Sequence, residues 1–338
     1  MIIVLKSQTP ENQVNSLIQE IEEKGLKPVP LIGTERTVIA IIGDERVLDE
    51  NHISSLPFVT KVMPVLAPYK LASREANTPD TIVDLGDGVT IGGKKLAIMA
   101  GPCSVESEEQ MMEIAEKVQA SGAQILRGGA YKPRTSPYSY EGMGEEGLKI
   151  LRRAADKFGL KVVTEVLDVR QVDLVANYSD ILQIGARNMQ NYPLLREVGK
   201  SQRAVFLKRG MSATIQEFLL AAEYILSGGN PNVILCERGI RTFETDTRFT
   251  LPLATVPLCK ELSHLPIIVD PSHGTGKAKF VRSMARAAIA AGADGLMLEV
   301  HPDPAKAMSD ADQTISPEEL NIIMKEITQI APILDREI

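Results

Sequence analysis

Ala123-Gln-Ile-Leu-Arg127-Gly-Gly-Ala-Tyr-Lys132-Pro-Arg134-Thr135-Ser136-Pro137 is the stretch on which the reading turns. Its first four residues form a short apolar run of the kind that makes a buried strand. Three cations and two hydroxyls follow, and two glycines and two prolines fix the backbone between them. A strand that opens into rigid, cationic, hydroxyl-bearing chain suits phosphates and carboxylates. A cationic cluster is, however, most often a solvated face, so the rest of the chain has to decide.

The same unit, a short apolar strand, a loop and a helix, recurs eight times from Lys95 onward. The strands read as 96–100, 123–126, 161–166, 181–184, 204–207, 233–236, 267–269 and 295–298. Helical stripes lie between them, for example at 111–120, 148–158, 215–226 and 280–291, with a last helix over 317–330. This count and length predict an α/β fold, a (β/α)8 TIM barrel. An open doubly wound sheet would want a glycine-rich fingerprint after its first strand, and none is present.

Residues 1–66 read as a unit of their own. Strands at 2–5, 27–31, 37–42 and 59–65 and helices at 11–24 and 48–56 give β-α-β-β-α-β, the ferredoxin-like order. Val14, Leu17, Ile18 and Ile21 make the apolar stripe of the first helix, and Gly25 ends it. Residues 67–80, with Pro68 and Pro79, read as a linker. The barrel takes 81–338, entered through a hairpin at 82–85 and 89–91 around Gly86-Asp-Gly88.

Composition narrows the function classes. The 338 residues carry a net charge of −7, with no bulk basic signature for nucleic acid. Anionic substrates must therefore be drawn in by locally focused cations. Cys103, Cys236 and Cys259 are few, odd in number and far apart, which argues against a disulfide framework. No apolar run reaches membrane-spanning length, and the first residues lack a signal-peptide pattern. A cytoplasmic protein is expected.

The strands are followed, in order, by Gly101-Pro-Cys103-Ser104, Arg127 with the cationic loop, Glu165, Gly185-Ala-Arg187-Asn188, Lys208-Arg209-Gly, Glu237-Arg238-Gly, Asp270-Pro-Ser-His273-Gly and Glu299-Val-His301-Pro. Asp310 falls before the final helix. A closed barrel gathers such residues at its C-terminal mouth, where these folds build active sites. Cys103, His273, Glu299 and Asp310 offer a thiolate, an imidazole and two carboxylates. That mixture binds a divalent first-row metal without selecting among Mn, Fe, Co and Zn. A lone cysteine is more often a small buried hydrophobe; the company of three other ligands favours the metal. His52, His264 and His301 are left outside the set. Arg127, Lys132, Arg134, Arg187, Lys208 and Arg238 exceed the charge of one phosphate and imply substrates with several anionic groups. An ion-pair network with Glu165 and Glu237 is the structural alternative. His273-Gly-Thr-Gly-Lys277 is no P-loop, because Pro271 stands where the first glycine belongs.

Gly101-Pro-Cys-Ser104, Leu126-Arg-Gly-Gly-Ala-Tyr-Lys-Pro-Arg-Thr-Ser136, Ile184-Gly-Ala-Arg187, Leu207-Lys208, Cys236-Glu-Arg-Gly239, Asp270-Pro-Ser-His273 and Glu299-Val-His301 together resemble the 3-deoxy-D-arabino-heptulosonate 7-phosphate (DAHP) synthase family. The likeness covers 81–338, and the first 66 residues are similar to the extension of its type I-beta branch. The resemblance implies condensation of phosphoenolpyruvate with erythrose 4-phosphate, giving DAHP and phosphate, the first step of the shikimate pathway. It implies Cys103, His273, Glu299 and Asp310 as metal ligands. It places phosphoenolpyruvate on Arg127, Lys132, Arg187, Lys208 and Arg238. Erythrose 4-phosphate falls on Lys132, Arg134, Thr135 and Ser136. Lys132 would move the proton to the aldehyde oxygen, with a metal-bound water or His273 as alternatives, and Glu165 would orient cations or the attacking water.

A second family, 3-deoxy-D-manno-octulosonate 8-phosphate synthase, shares the barrel and uses arabinose 5-phosphate. Its phosphate loop reads Lys-Ala-Asn-Arg-Ser-Ser where this chain has Lys132-Pro-Arg-Thr-Ser136, and it lacks the N-terminal extension. Ser309-Asp-Ala-Asp-Gln313 departs from the DAHP synthase pattern Ser-Asp-Gly-Pro-Gln, although Asp310 is kept. The resemblance further implies a homotetramer or homodimer, and a chorismate mutase fused to or partnering some relatives. Its N-terminal unit would sense tyrosine or phenylalanine; use in oligomer packing alone is the alternative.

Overall fold

The computed structural model describes residues 1–33, 36–43, 45–63, 68–133, 138 and 140–338. The chain divides into two compact units, Met1–Pro79 with Glu261–His264, and Asp80–Lys260 with Leu265–Ile338.

The first unit runs β1 (Ile2–Leu5), α1 (Glu11–Glu23), β2 (Lys27–Ile32), β3 (Thr37–Ile42), α2 (Glu50–Ser55) and β4 (Val59–Met63). Its strands lie in the order β2-β3-β1-β4, all antiparallel. Leu17 and Ile21, on the apolar stripe of α1, join Ile3, Leu5, Ile39 and Ile41 in one core. The ferredoxin-like expectation therefore holds. The second helix is shorter than its sequence pattern, because the Asp49 side chain accepts from Asn51 N and His52 N and starts it there.

The second unit opens with the hairpin β5 (Val83–Asp84) and β6 (Thr90–Ile91). Eight parallel strands follow: β7 (Ala97–Gly101), β8 (Ile125–Arg127), β9 (Lys161–Glu165), β10 (Ile181–Ile184), β11 (Ala204–Lys208), β12 (Val233–Glu237), β13 (Ile267–Val269) and β14 (Gly295–Glu299). Each pairs with the next, and β14 closes on β7. The helices are α3 (Glu108–Ala120), α4 (Gly144–Phe158), α5 (Val172–Tyr178), α6 (Tyr192–Val198), α7 (Ile215–Ser227), α8 (Thr255–Leu262), α9 (Pro271–Thr275), α10 (Ala278–Ala290) and α11 (Pro317–Ile330). Ser107, Thr214 and Ser316 cap α3, α7 and α11 through their hydroxyls. Among the described residues no helix is long and apolar enough to cross a membrane.

Several strands run one residue further than their apolar letters. Parallel pairing carries on through the first polar residue, as between Lys208 and Cys236 or Glu299 and Gly101. Gly101 is required there: its φ is +147°, and a Cβ would lie 2.2 Å from the Arg127 carbonyl oxygen.

The barrel interior explains what reaches the mouth. Met99, Ile125, Val163, Ile181, Phe206, Cys236, Ile268 and Met297 pack inside it, with Val83 and Ile91 of the hairpin joining the same cluster. Side chains alternate along a strand, so residues two positions further share that face. Those residues are Gly101, Arg127, Glu165, Gln183, Lys208, Arg238, Asp270 and Glu299.

Candidate active site

Four donors meet above the barrel core. Cys103, Glu299 and Asp310 each bring a ligand atom to within 4.8 Å of the others. His273 Nε2 lies 3.4 Å from Glu299 Oε1. Cys103 sits in the loop after β7, and Glu299 ends β14. Asp310 adopts a left-handed backbone, φ +55°, just before a 3-10 turn. His273 lies in α9, which Asp270 caps: its Oδ1 accepts from His273 N at 2.9 Å.

The electrostatics suit a cation. Burial pushes the Cys103 thiol up to about 11, with Glu299 adding to the rise. The thiol donates to Asp310 Oδ2 at 3.1 Å. Lys132 Nζ donates to Cys103 Sγ at 2.9 Å and to the Cys103 carbonyl at 2.8 Å. Burial also lowers the His273 pKa, against the pull of Asp270, which favours neutral imidazole. Asp270 Oδ2 accepts from His273 Nδ1 at 2.7 Å, so the Nε2 lone pair faces Glu299. Two acceptors facing each other are unfavourable until a cation lies between them. A histidine tautomer fixed by a carboxylate is also how metal-ligating imidazoles are commonly held. The donor set therefore fits a divalent ion.

Beside these donors lies a cavity of about 370 Å³ lined by Arg127, Lys132, Glu165, Arg187, Lys208, Arg238, His273 and Asp310. Arg127 donates to Glu299 Oε1 at 2.7 Å, and Lys208 to Asp270 Oδ2 at 2.6 Å. Arg238 is 5% exposed and lies over the Phe249 ring at 4.1 Å. Its NH1 is buried with no partner among the described residues. A buried guanidinium with an unmet donor is a place prepared for an anion. Glu165 is raised by burial, which outweighs the nearby Lys132, Lys208, Arg187 and Arg127.

The structure thus brings together Cys103, His273, Glu299, Asp310, Arg127, Lys132, Glu165, Arg187, Lys208 and Arg238. Arg134, Thr135 and Ser136, expected on the sugar phosphate, lie outside the described residues. One expectation is corrected. Glu237 is no counter-ion of the mouth, because it faces away from the lumen and pairs with Arg209 at 2.6 Å. Sequence reading put Asp270 at the mouth without a role and missed Gln183; the two-residue alternation would have turned both to the lumen. It also missed Arg241, Arg248 and Phe249, which line the same cavity from the loop after β12. His301 stays outside the donor set; its Nε2 lies 3.4 Å from Glu106.

The DAHP synthetase I family model matches residues 78–333, and the DAHP synthase ferredoxin-like domain matches residues 1–67. The chain belongs to the DAHP synthase family. It is 51% identical to phospho-2-dehydro-3-deoxyheptonate aldolase of Thermotoga maritima, over 99% of this chain and 98% of that one. The crystal structure of the Thermotoga DAHP synthase superposes with a TM-score of 0.80, at 50% identity over 99% of this chain and 98% of that one. A truncated form of the Thermotoga DAHP synthase matches 79% of this chain and 98% of its own length, with a TM-score of 0.74 and 50% identity. A more distant relative, 2-dehydro-3-deoxyphosphooctonate aldolase of Syntrophotalea carbinolica, is 33% identical over 76% of this chain and 98% of its own.

Proposed function

We propose that this chain joins phosphoenolpyruvate to erythrose 4-phosphate, forming DAHP and inorganic phosphate. The observation that carries this is the pairing, in one mouth, of the four-donor cluster with Arg238, whose buried NH1 has no partner among the described residues. A metal-dependent condensation of two phosphorylated substrates needs both halves. Matching over both units, rather than the barrel alone, favours DAHP synthesis over the octulosonate reaction.

Arg127, Arg187, Lys208 and Arg238 hold the carboxylate and phosphate of phosphoenolpyruvate, arginine gripping oxyanions in a bidentate fork. Arg134, Thr135 and Ser136 hold the sugar phosphate. Cys103, His273, Glu299 and Asp310 would hold a divalent ion, Mn, Fe, Co or Zn, which would supply Lewis-acid polarisation of the aldehyde. Fixing the enol carbon against the aldehyde carbon is the main task of the cationic cradle. The C–C bond forms there, and Lys132 Nζ delivers a proton to the former aldehyde oxygen. Water adds at the enol carbon, oriented by Glu165, and phosphate leaves with its bridging oxygen.

The ferredoxin-like unit senses tyrosine or phenylalanine in this reading, and the protein works as a cytoplasmic homotetramer or homodimer. The substrate assignment is tested by competition. Limiting phosphoenolpyruvate is offered erythrose 4-phosphate and arabinose 5-phosphate together, and the products are weighed. The seven-carbon product is expected to dominate; an eight-carbon product would move the chain to the octulosonate activity.

A further inference from the structure

Residues 240–250 form a loop after β12 whose base is closed by an antiparallel bridge between Ile240 and Thr250, with backbone bonds of 2.9 and 3.0 Å. Its outer part lies in solvent, where Phe243 is 97% exposed. Arg248 turns back from this loop. Its NH1 donates to Asp310 Oδ1 at 3.0 Å and to Gln313 Oε1 at 2.7 Å. Gln313 is buried, and its Nε2 donates to Glu299 Oε2 at 2.6 Å. A guanidinium on one side and a carboxylate on the other leave that amide one orientation. Glu299 is thereby gripped at both oxygens, by Arg127 at Oε1 and by Gln313 at Oε2. Arg248 holds the second carboxylate, on the strained backbone of Asp310. One inward cation of the loop therefore governs two of the four donors, one directly and one through an amide.

We propose that Gln313 and Arg248 are positioning residues of the metal centre, and that through them the 240–250 loop docks more firmly when the metal is bound. The inference rests on the metal reading above and extends it to residues outside the four donors. A loop that orients the ligands must in turn be favoured by the ion they hold, by the same factor, because coupling is reciprocal.

The test uses the full-length chain with Co²⁺ as the probe. Affinity is measured by chelator competition, and the thiolate-to-cobalt absorption band reports geometry at Cys103. Gln313→Leu and Arg248→Met are each expected to weaken Co²⁺ about 10–100-fold, the usual effect of removing an outer partner of a ligand. Arg248→Lys should recover part of the loss. Co²⁺ should also slow amide exchange across 240–250 in the wild type but not in Arg248→Met. Arg248 is 38% exposed, so Arg248→Met should keep the metal-free unfolding midpoint and decides the matter if Gln313→Leu fails to fold. Unchanged affinity in Arg248→Met, or loop exchange indifferent to Co²⁺ in the wild type, overturns the proposal. A wild type that binds no Co²⁺ through Cys103 removes the metal reading itself. Normal wild-type binding with unperturbed variants removes only the role of Gln313 and Arg248.

Discussion

Glu165 lies among Lys132, Lys208, Arg187 and Arg127, yet burial outweighs these cations and holds its pKa above the usual 4.5. A carboxyl with a raised folded pKa stabilises fully below its unfolded pKa. That contribution is lost as pH rises through the folded pKa. Glu165→Gln is therefore expected to be more stable than the wild type at pH 7.5 and no different near pH 4, by urea unfolding at both. The same variant should lose about 10²–10⁴-fold in kcat if the carboxylate orients the attacking water. A stability gap equal at both pH values would refute the burial argument. Gly185 stands in the same relation to this group, since a Cβ there would lie 2.0 Å from Glu165 Oε1. The sequence displayed Glu165, Lys208 and Arg238 because each is a charge at or just past the end of a short apolar strand. It hid Gln183 and the role of Asp270. Asp270 precedes a proline and looks like a turn residue, and Gln183 sits inside an apolar run. Only the side-chain register shows that both face the lumen.

At the scale of the strand, alternation sorts neighbours of similar letters. Lys208 turns inward and Arg209 outward; Arg238 turns inward and Glu237 outward. Arg209 and Glu237 then meet behind the barrel wall, where Thr255 of α8 also accepts from Arg209 at 3.1 Å. Glu237 Oε1 accepts from Gly239 N at 2.7 Å, which fixes the loop that carries Arg238. Arg209→Met leaves Glu237 buried without its cation and is expected to cost about 3–5 kcal/mol in unfolding free energy. A cost below about 1 kcal/mol, the level of an exposed pair, would contradict this. Strand and helix positions were legible because hydrophobic period and capping residues agree, as at Ser316-Pro317 for α11. Strand ends were less so, because pairing depends on a neighbour far along the chain.

Both units were visible in the sequence through their element order, and the eightfold repeat announced the closed barrel. What the chain cannot display in its letters is how far-apart loops meet: Arg248 and Gln313 are separated by 65 positions and touch at 2.7 Å. Removing residues 1–66 should leave turnover and abolish inhibition by tyrosine or phenylalanine, measured by initial rates with each amino acid. Sensitivity unchanged by the deletion would assign that unit to packing alone.

Phosphate release from phosphoenolpyruvate tests the central claim most directly, with erythrose 4-phosphate against arabinose 5-phosphate, each with and without EDTA. Release is expected with the four-carbon sugar, lost in EDTA and restored by Mn²⁺. Release that prefers arabinose 5-phosphate, or that never depends on a divalent ion after exhaustive chelation, would contradict it.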